Sequence, residues 1–381
     1  MEIASSLNLR PPVAVKPGGL LQLDPTPPPA QHYPACALTV PAGPRMQAET
    51  GTAKDSSALF EQFTVLDQPD LYSRERCDDI QRLVEEITEL KRENDAVILA
   101  HNYQRPEIFE VADFVGDSLE LAKRGAQVEQ GTIVFCGVHF MAETAKILSP
   151  EKRILIPDSN AGCSLAESVT AESLVEMRDE LRQQYPDLVV ISYVNTTAEV
   201  KAVTDVCCTS SNAIKVVESV DSNNILFVPD ENLAAYVARH TSKNIIAWEG
   251  NCYVHHQINP EQIEEVRRVR PEIRVLAHPE CREDVLDIAD AVLSTSGMMK
   301  FAREDDAKEF LVVTECGLSD RLLLEIPDKR FFKSCQLCKY MKMITLEGTR
   351  DALVEGRDEI KLTAELCDAA RSSVERMFEL G

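Results

Sequence analysis

Three cysteines follow one another at nearly equal intervals, as expected if three copies of one structural unit each supply a thiol. Cys163, Cys252 and Cys338 lie 89 and 86 residues apart in a chain of 381 residues. Structural zinc sites normally take four ligands, often from C-x2-C pairs, but only residues 335–338 form such a pair. Three thiolates can instead hold a [4Fe-4S] cluster and leave one iron open to act as a Lewis acid. We therefore predict that these cysteines bind a [4Fe-4S] cluster.

A polar triplet precedes each of these cysteines and ends an apolar run. The triplets are His101-Asn102-Tyr103, Tyr193-Val194-Asn195 and His278-Pro279-Glu280. Because side chains alternate along a strand, the first and third members of a triplet face the same side. Glu280 can act there as a base, and His278 can act as a proton donor or shuttle. His101 and Tyr103, the outer members of the first triplet, form a second pair of this kind. We predict structural roles for the histidines outside the triplets, His139, His255 and His256.

A hydroxyl residue follows the first member of each triplet by 17 residues, at Ser118, Ser210 and Thr295. Each stands at the predicted start of a helix, where a single hydroxyl is more often an N-cap that contributes about 1 kcal/mol. Three hydroxyls at matching positions favour a different role, because the free N–H groups and dipole of a helix N-terminus attract carboxylate or phosphate. We therefore predict that these hydroxyls bind an anionic substrate.

The other cysteines carry weaker predictions. Cys136, Cys207 and Cys208 lie in or near apolar runs, and we predict that they are packing residues. Cys335 can form a reversible disulfide with Cys338 that displaces iron, or it can be an inert neighbour. The sequence favours neither alternative.

The elements that must position these residues alternate between strand-like and helical runs. Strand-like runs are VILA, IVFCGV and ILIPD, then VVISYVN, ILFVPD and IIAWEGNC, then IRVLA, AVLST and FLVV. Helices are predicted between them, near residues 119–124, 142–148, 213–219, 233–239 and 284–289 and after residue 297. This alternation indicates parallel sheets with helices on both faces, and such sheets bind ligands beyond the carboxyl ends of their strands.

The length of the chain predicts two or three domains. We predict an α/β fold of three similar three-layer αβα domains with parallel sheets, arranged with pseudo-threefold symmetry around a central Fe–S site. A disordered tail is predicted over residues 1–72, since ten of the 20 prolines fall within the first 44 residues. The domains are predicted over 73–162, 163–250 and 251–348, and a C-terminal helix within 349–381 is predicted to pack on the first domain.

Composition argues against two classes of function. The net charge is −23 and no Lys/Arg cluster is present, which disfavours nucleic-acid binding. No apolar run approaches the roughly 18 residues that a membrane helix needs.

The cysteines bear on the location of the protein. Twelve cysteines, without a basic segment followed by an apolar one at the start, predict a reducing compartment. A cytoplasmic location is therefore expected.

Ten stretches between residues 95 and 348 carry a family resemblance. They are ILAHNYQRPEI, ADFVGDSLELA, FMAETAKILSP, AGCSLAES, YVNTTAEVKA, TSSNA, EGNCYVHH, LAHPEC, STSGMM and CQLCKYMKMITLEG. Together they resemble the quinolinate synthase family, the A proteins of de novo NAD biosynthesis. The resemblance implies a three-domain enzyme with a [4Fe-4S] cluster on its pseudo-threefold axis. It also implies that iminosuccinate condenses with dihydroxyacetone phosphate to give quinolinate, phosphate and water.

The resemblance assigns roles to particular residues. Its cluster ligands fall on Cys163, Cys252 and Cys338. Its catalytic residues fall on Tyr103, His278 and Glu280. Its substrate-binding residues fall on His101, Ser118, Tyr193, Asn195, Ser210, His278, Glu280 and Thr295. The family usually has proline after the last ligand cysteine, where this chain has Lys339.

The resemblance also implies partners. They are the two small-molecule substrates, L-aspartate oxidase or aspartate dehydrogenase as the supplier of iminosuccinate, and the Fe–S assembly machinery.

Two other functions fit the residues. A different Fe–S hydro-lyase acting on a small hydroxy-acid would share the cluster but would perform only dehydration. A non-catalytic Fe–S sensor would use loss of the cluster as its signal, although the polar groups predicted at the strand ends disfavour it. Product analysis separates the first alternative, and a shift of the cluster spectrum by substrate analogues separates the second.

Overall fold

Three parallel sheets frame the protein in the computed structural model, which describes residues 54–334 and 336–381. The first sheet contains β1 (Ala96–His101), β2 (Phe114–Gly116), β3 (Thr132–Cys136) and β4 (Arg153–Leu155). The second contains β5 (Val189–Tyr193), β6 (Val206–Cys208), β7 (Asn224–Val228) and β8 (Asn244–Ala247). The third contains β9 (Arg274–Ala277), β10 (Ala291–Val292), β11 (Glu309–Val313) and β12 (Arg330–Lys333).

The three sheets share one topology. Their spatial orders are β2-β1-β3-β4, β6-β5-β7-β8 and β10-β9-β11-β12, and every pair of neighbouring strands is parallel. In each sheet the first strand along the chain therefore lies inside, between the second and the third. The predicted α/β class with three parallel sheets is confirmed.

Helices cover these sheets and supply the remaining secondary structure. Within the described residues they are α1 (Ser56–Thr64), α2 (Arg74–Glu93), α3 (Pro106–Phe109), α4 (Ser118–Gln127), α5 (His139–Leu148), α6 (Ala171–Gln184), α7 (Ala198–Ala202), α8 (Ala213–Ser219), α9 (Glu231–Ala238), α10 (Tyr253–His256), α11 (Pro260–Val269), α12 (Glu283–Leu286), α13 (Thr295–Glu304), α14 (Cys316–Glu325), α15 (Leu346–Glu355) and α16 (Ala364–Leu380). None of them is long and apolar enough to cross a membrane.

Burial of apolar side chains explains why these segments form. All six residues of β1 are buried, as expected for a parallel strand that is covered on both faces. Helix α2 buries Ile80, Val84 and Ile87 along one side, which is the period of an amphipathic helix. The largest apolar core contains buried residues from all three sheets, including Leu99 and Phe310. The three sheets are therefore held together by a shared hydrophobic core.

Two parts of the predicted domain division differ from the structure, although α15 on α2 and α16 on α5 do place the C-terminal segment partly on the first domain. The predicted tail over 1–72 includes α1, which packs on α2 and buries Leu59 and Phe63; residues 1–53 lie outside the described residues. The predicted C-terminal helix is two helices. Helix α15 packs on α2 of the first unit, but α16 packs chiefly on α7 and β6 of the second. There Ser373 Oγ donates to the carbonyl oxygen of Lys201 at 2.8 Å.

Candidate active site between the three sheets

A cavity lies where the inner strands of the three sheets end. The polar triplets begin at the last residue of β1 and of β5 and directly after β9. The cavity encloses about 650 Å³ of space, counting the part open to solvent. Its lining includes all twelve residues that the sequence predicted for the site: His101, Tyr103, Ser118, Cys163, Tyr193, Asn195, Ser210, Cys252, His278, Glu280, Thr295 and Cys338.

The three predicted ligand cysteines occupy corresponding places in the three units. Cys163, Cys252 and Cys338 each follow the last strand of their sheet, and none of them forms a disulfide with another described residue. Burial raises the pKa of all three thiols, to about 12 for Cys163. These thiols therefore need a nearby cation to be thiolates at neutral pH. Three soft sulfur donors on one cavity fit an iron–sulfur cluster.

Buried carboxylates hold the backbone of two of these cysteines. Asp230 caps α9, and its Oδ2 accepts a hydrogen bond from the backbone N of Cys252 at 3.1 Å. Glu315 caps α14 in the same way, and its Oε1 accepts from the backbone N of Cys338 at 3.2 Å. In the first unit Val138 stands at the start of α5 and supplies no side-chain cap. Two of the three cysteine loops are thus fixed by an acidic helix cap.

Glu280 is paired with two histidines inside the cavity. Its Oε2 lies 2.9 Å from Nδ1 of His255 and 3.1 Å from Nδ1 of His278. Burial alone would raise the pKa of Glu280, but the two imidazoles outweigh burial and hold this pKa well below its usual range. Its other oxygen, Oε1, is buried and has no hydrogen-bond partner among the described residues. Glu280 is therefore an ionised carboxylate, and one of its oxygens makes no hydrogen bond to the described residues.

His255 also borders the cavity, where the sequence predicted only a structural role for it. Its ring stacks on His278 with centroids 4.6 Å apart. Its Nε2 lies 2.8 Å from Thr314 Oγ1 and 3.4 Å from the hydroxyl of Tyr103. The sequence did carry a signal, because His255 follows Cys252 by three residues and therefore lies on the same side of α10. Cys252, His255 and Glu280 offer ligand atoms within 4.8 Å of one another, a spacing that could hold a metal ion.

Burial also determines the protonation states of two other predicted site residues, Tyr103 and His101. The Tyr103 hydroxyl lies 2.5 Å from Thr314 Oγ1, and burial raises the pKa of Tyr103 well above 10. Tyr103 is therefore a proton donor at neutral pH. Burial lowers the pKa of His101 to about 3, so that its imidazole is neutral. Asn195 contributes a buried Oδ1 without a hydrogen-bond partner among the described residues.

The predicted hydroxyls are not helix caps. Ser118 and Thr295 are the first residues of α4 and α13, whose caps are Asp117 and Ser294. Ser210 lies before α8 and is not its cap either. The capping alternative is therefore wrong for all three, and their hydroxyls border the cavity. Their binding of an anion stays a prediction.

The remaining predictions divide as follows. Cys136, Cys207 and Cys208 are buried in strands, so their predicted packing role is confirmed. His139 and His256 lie at least partly exposed beside Glu143 and Glu231, away from the cavity lining. Cys335 lies outside the described residues, so neither the disulfide with Cys338 nor the inert-neighbour alternative is tested.

Comparisons with known proteins give one family. The family model described as "NadA: Quinolinate synthetase A protein" matches residues 85–379. A curated quinolinate synthase of Thermodesulfovibrio yellowstonii is 49% identical over 304 residues, covering 79% of this chain and 99% of the relative. The quinolinate synthase of Xylella fastidiosa (strain Temecula1) is 50% identical over 298 residues, covering 78% and 87%. That of Agrobacterium fabrum is 50% identical over 298 residues, covering 78% and 85%.

Proposed function

The chain belongs to the quinolinate synthetase A protein family, and on that basis we propose that its cavity makes quinolinate for NAD biosynthesis. The proposed reaction condenses iminosuccinate with dihydroxyacetone phosphate and releases phosphate and water. One observation carries the proposal. Cysteines from corresponding places in three units border the same cavity as an ionised carboxylate with a free oxygen. A cluster site and an acid–base site would thus share one small-ligand cavity.

We propose that Cys163, Cys252 and Cys338 hold a [4Fe-4S] cluster. Two observations support this proposal. The three cysteines are free thiols that border one cavity, and their burial disfavours the thiolate form unless a cation is bound nearby. When bound, the cluster supplies an open iron that acts as a Lewis acid toward a substrate oxygen.

The substrates would be held by polar groups around the cavity. One carboxylate of iminosuccinate would bind the hydroxyl of Ser118 or Ser210. The neutral imidazole of His101 and the buried amide of Asn195 would contact uncharged substrate groups. Tyr193 and Thr295 complete the proposed binding set. These residues come from different sheets, and the cavity would therefore hold two reactants in contact and reduce the entropic cost of their condensation.

Proton transfer would be performed by Glu280 with His278 and Tyr103. The free Oε1 of Glu280 would accept a proton from the substrate, while His255 and His278 hold Oε2. Tyr103, which stays protonated, would donate a hydrogen bond or a proton to a developing oxyanion or leaving hydroxyl. His255 would act as a positioning residue, because its two ring nitrogens reach Glu280 and Thr314.

The domain arrangement is also proposed. Residues 73–162, 163–250 and 251–348 each hold one sheet, and the three sheets have the same strand order. This repetition supports pseudo-threefold symmetry around the cavity. L-aspartate oxidase or aspartate dehydrogenase would supply iminosuccinate, and the Fe–S assembly machinery would install the cluster.

Product analysis tests the proposed function. The protein is reconstituted with iron and sulfide without oxygen, then given dihydroxyacetone phosphate and iminosuccinate generated by L-aspartate oxidase. Quinolinate is expected by mass spectrometry in an amount that scales with iron content. A Cys252→Ala variant treated identically is the control and should form none. If the wild-type protein forms only dehydration products, the proposal fails and the hydro-lyase alternative gains support.

A further inference from the structure

Asn102 is the middle residue of the first triplet and faces away from the cavity lining. It is fully buried, and Nη1 of Arg321 on α14 donates a hydrogen bond to its Oδ1. A guanidinium can donate hydrogen bonds but cannot accept them. The Asn102 amide therefore has one possible orientation, with its oxygen toward Arg321 and its nitrogen on the opposite side.

The amide nitrogen of Asn102 uses both of its hydrogens on α13. Nδ2 lies 2.7 Å from Thr295 Oγ1 and 3.3 Å from Ser296 Oγ. Both hydroxyls must accept these bonds, because the amide nitrogen is only a donor. Ser296 then donates its own hydrogen to the Oε2 of Glu120. The direction of every bond in this group follows from the single fact that Arg321 only donates.

Thr295 differs from Ser296 in one respect. Its oxygen also accepts from Asn102, but the described residues provide no acceptor for its hydroxyl hydrogen. Thr295 borders the cavity. Because the Thr295 oxygen already accepts a hydrogen bond from Asn102, the Thr295 hydroxyl hydrogen is available to a group in the cavity. Ser296 satisfies this requirement with the carboxylate of Glu120, and Thr295 could satisfy it with an anionic ligand in the cavity.

We propose that Arg321 and Asn102 are positioning residues that fix the Thr295 hydroxyl as a hydrogen-bond donor to an anionic oxygen of a substrate. We call Arg321, Asn102 and Thr295 the threonine-orienting network. The inference rests on the proposed function, since it requires an anionic substrate in the cavity. The anionic oxygen belongs to a carboxylate or a phosphate, and the two substrates carry these groups separately.

The threonine-orienting network joins the first unit to the third. Asn102 follows β1, whereas Thr295 begins α13 and Arg321 lies on α14. The orientation of the Thr295 hydroxyl therefore depends on how the segment after β1 packs against α13 and α14 of the third unit. A substitution at Asn102 can therefore alter substrate binding although Asn102 itself does not border the cavity.

Replacement of Asn102 by Asp provides the test. Aspartate has nearly the same shape and still accepts from Arg321, but it cannot donate, and it draws the Thr295 hydrogen toward itself. Loss of a hydrogen bond to a charged group typically weakens binding about tenfold or more. We expect Asn102→Asp to raise KM about tenfold for one substrate, with iron content and melting temperature close to wild type. A rise for dihydroxyacetone phosphate assigns the phosphate, and a rise for iminosuccinate assigns the carboxylate.

Thr295 variants show whether Asn102 acts through the hydroxyl. Thr295→Ser keeps the hydroxyl and should stay within about threefold of the wild-type KM, whereas Thr295→Val should reproduce the tenfold rise. Adding Asn102→Asp to Thr295→Val should cause no further rise, because the hydroxyl is already absent. Additive effects of the two changes would overturn the proposal, since independent sites add. Unchanged KM values for both substrates in Asn102→Asp would also overturn it.

A binding measurement keeps this inference separate from the proposed function. Dihydroxyacetone phosphate and succinate, a stable dicarboxylate, are titrated into the cluster-containing protein by anaerobic calorimetry. The affinity for one of the two is expected to fall about tenfold in Asn102→Asp. This result would support the threonine-orienting network even if no quinolinate formed. Equal affinities of wild type and Asn102→Asp for both probes would refute it even if quinolinate did form.

Discussion

His255 holds one oxygen of Glu280, with its Nδ1 2.9 Å from Oε2. The other carboxylate oxygen is buried without a hydrogen-bond partner among the described residues. A carboxylate anchored on one side and free on the other suits a general base, because its position is fixed while a lone pair stays available. Glu280 lies in the loop after β9, and His255 lies on the helix that follows Cys252. The pairing therefore links the proposed base to the loop that carries a proposed cluster ligand.

Replacement of Glu280 by Gln tests the base. Glutamine keeps the shape and one carbonyl oxygen but cannot take up a proton at neutral pH. We expect quinolinate formation to fall by at least about a hundredfold, the usual contribution of a general base, with the iron content and the visible spectrum unchanged. Anaerobic turnover and absorption spectra measure both. Wild-type activity in this variant would remove Glu280 from the base role.

Replacement of His255 by Phe tests the positioning role. Phenylalanine can retain part of the stacking on His278 but lacks both ring nitrogens, including the Nδ1 that lies 2.9 Å from Glu280 Oε2, so that Glu280 is left beside one imidazole alone. We expect kcat to fall about tenfold or more, with little change in KM. His256→Phe is the matched control, since His256 lies on the same short helix but outside the cavity lining, and it should keep wild-type kcat. Equal kcat values for both variants would contradict the role given to His255.

Removal of the Asp230 carboxylate tests the support of a cysteine loop. Asp230→Ala removes the cap of α9 and the acceptor of the Cys252 N–H, with an expected loss of about 0.5–2 kcal/mol from the cap alone. Asp55→Ala is the control, because Asp55 caps α1 and has no link to a cysteine. We expect anaerobic iron content to fall in Asp230→Ala and to stay normal in Asp55→Ala. Full iron content in both would show that the Cys252 loop needs no such support.

Replacement of Phe63 by Ala tests whether α1 belongs to the folded core. Phe63 is 1% exposed and its ring centroid lies 4.5 Å from that of Tyr72. Truncating a buried phenylalanine typically costs about 3–5 kcal/mol. We expect a loss of that size in the free energy of unfolding measured with urea. Val65→Ala, on a side chain that is 51% exposed, should cost much less. Equal small losses would mean that α1 does not stabilise the fold.

Much of the fold followed from the sequence because the inner strands are buried on both faces. Their apolar runs are continuous, so β1, β5, β9 and their partners β3, β7 and β11 were predicted close to their observed positions. Strands β2, β6 and β12 were not predicted, since their three or four residues carry too little periodicity to be recognised. The packing of α16 on the second unit was also missed, because an amphipathic pattern shows that a face is buried but not against what.

The site was predictable where residue types repeat and was missed where only contacts define a role. Nearly equal spacing selected the cysteines, the outer members of the triplets and the hydroxyls, and all of these border the cavity. His255 has no counterpart in the triplet pattern, and its role depends on its pairing with Glu280. Asp230 and Glu315 look like ordinary helix caps in sequence. Their bonds to Cys252 and Cys338 depend on loops that return from 22 and 23 residues away.

The central claim is that three cysteine loops meet around one iron–sulfur cluster. A crystal structure of the anaerobically reconstituted protein, with anomalous data at the iron absorption edge, tests this most directly. We predict one [4Fe-4S] cluster held by the sulfurs of Cys163, Cys252 and Cys338. Iron bound by any other set of residues, or no iron peak in the cavity of a protein that makes quinolinate, would contradict the account.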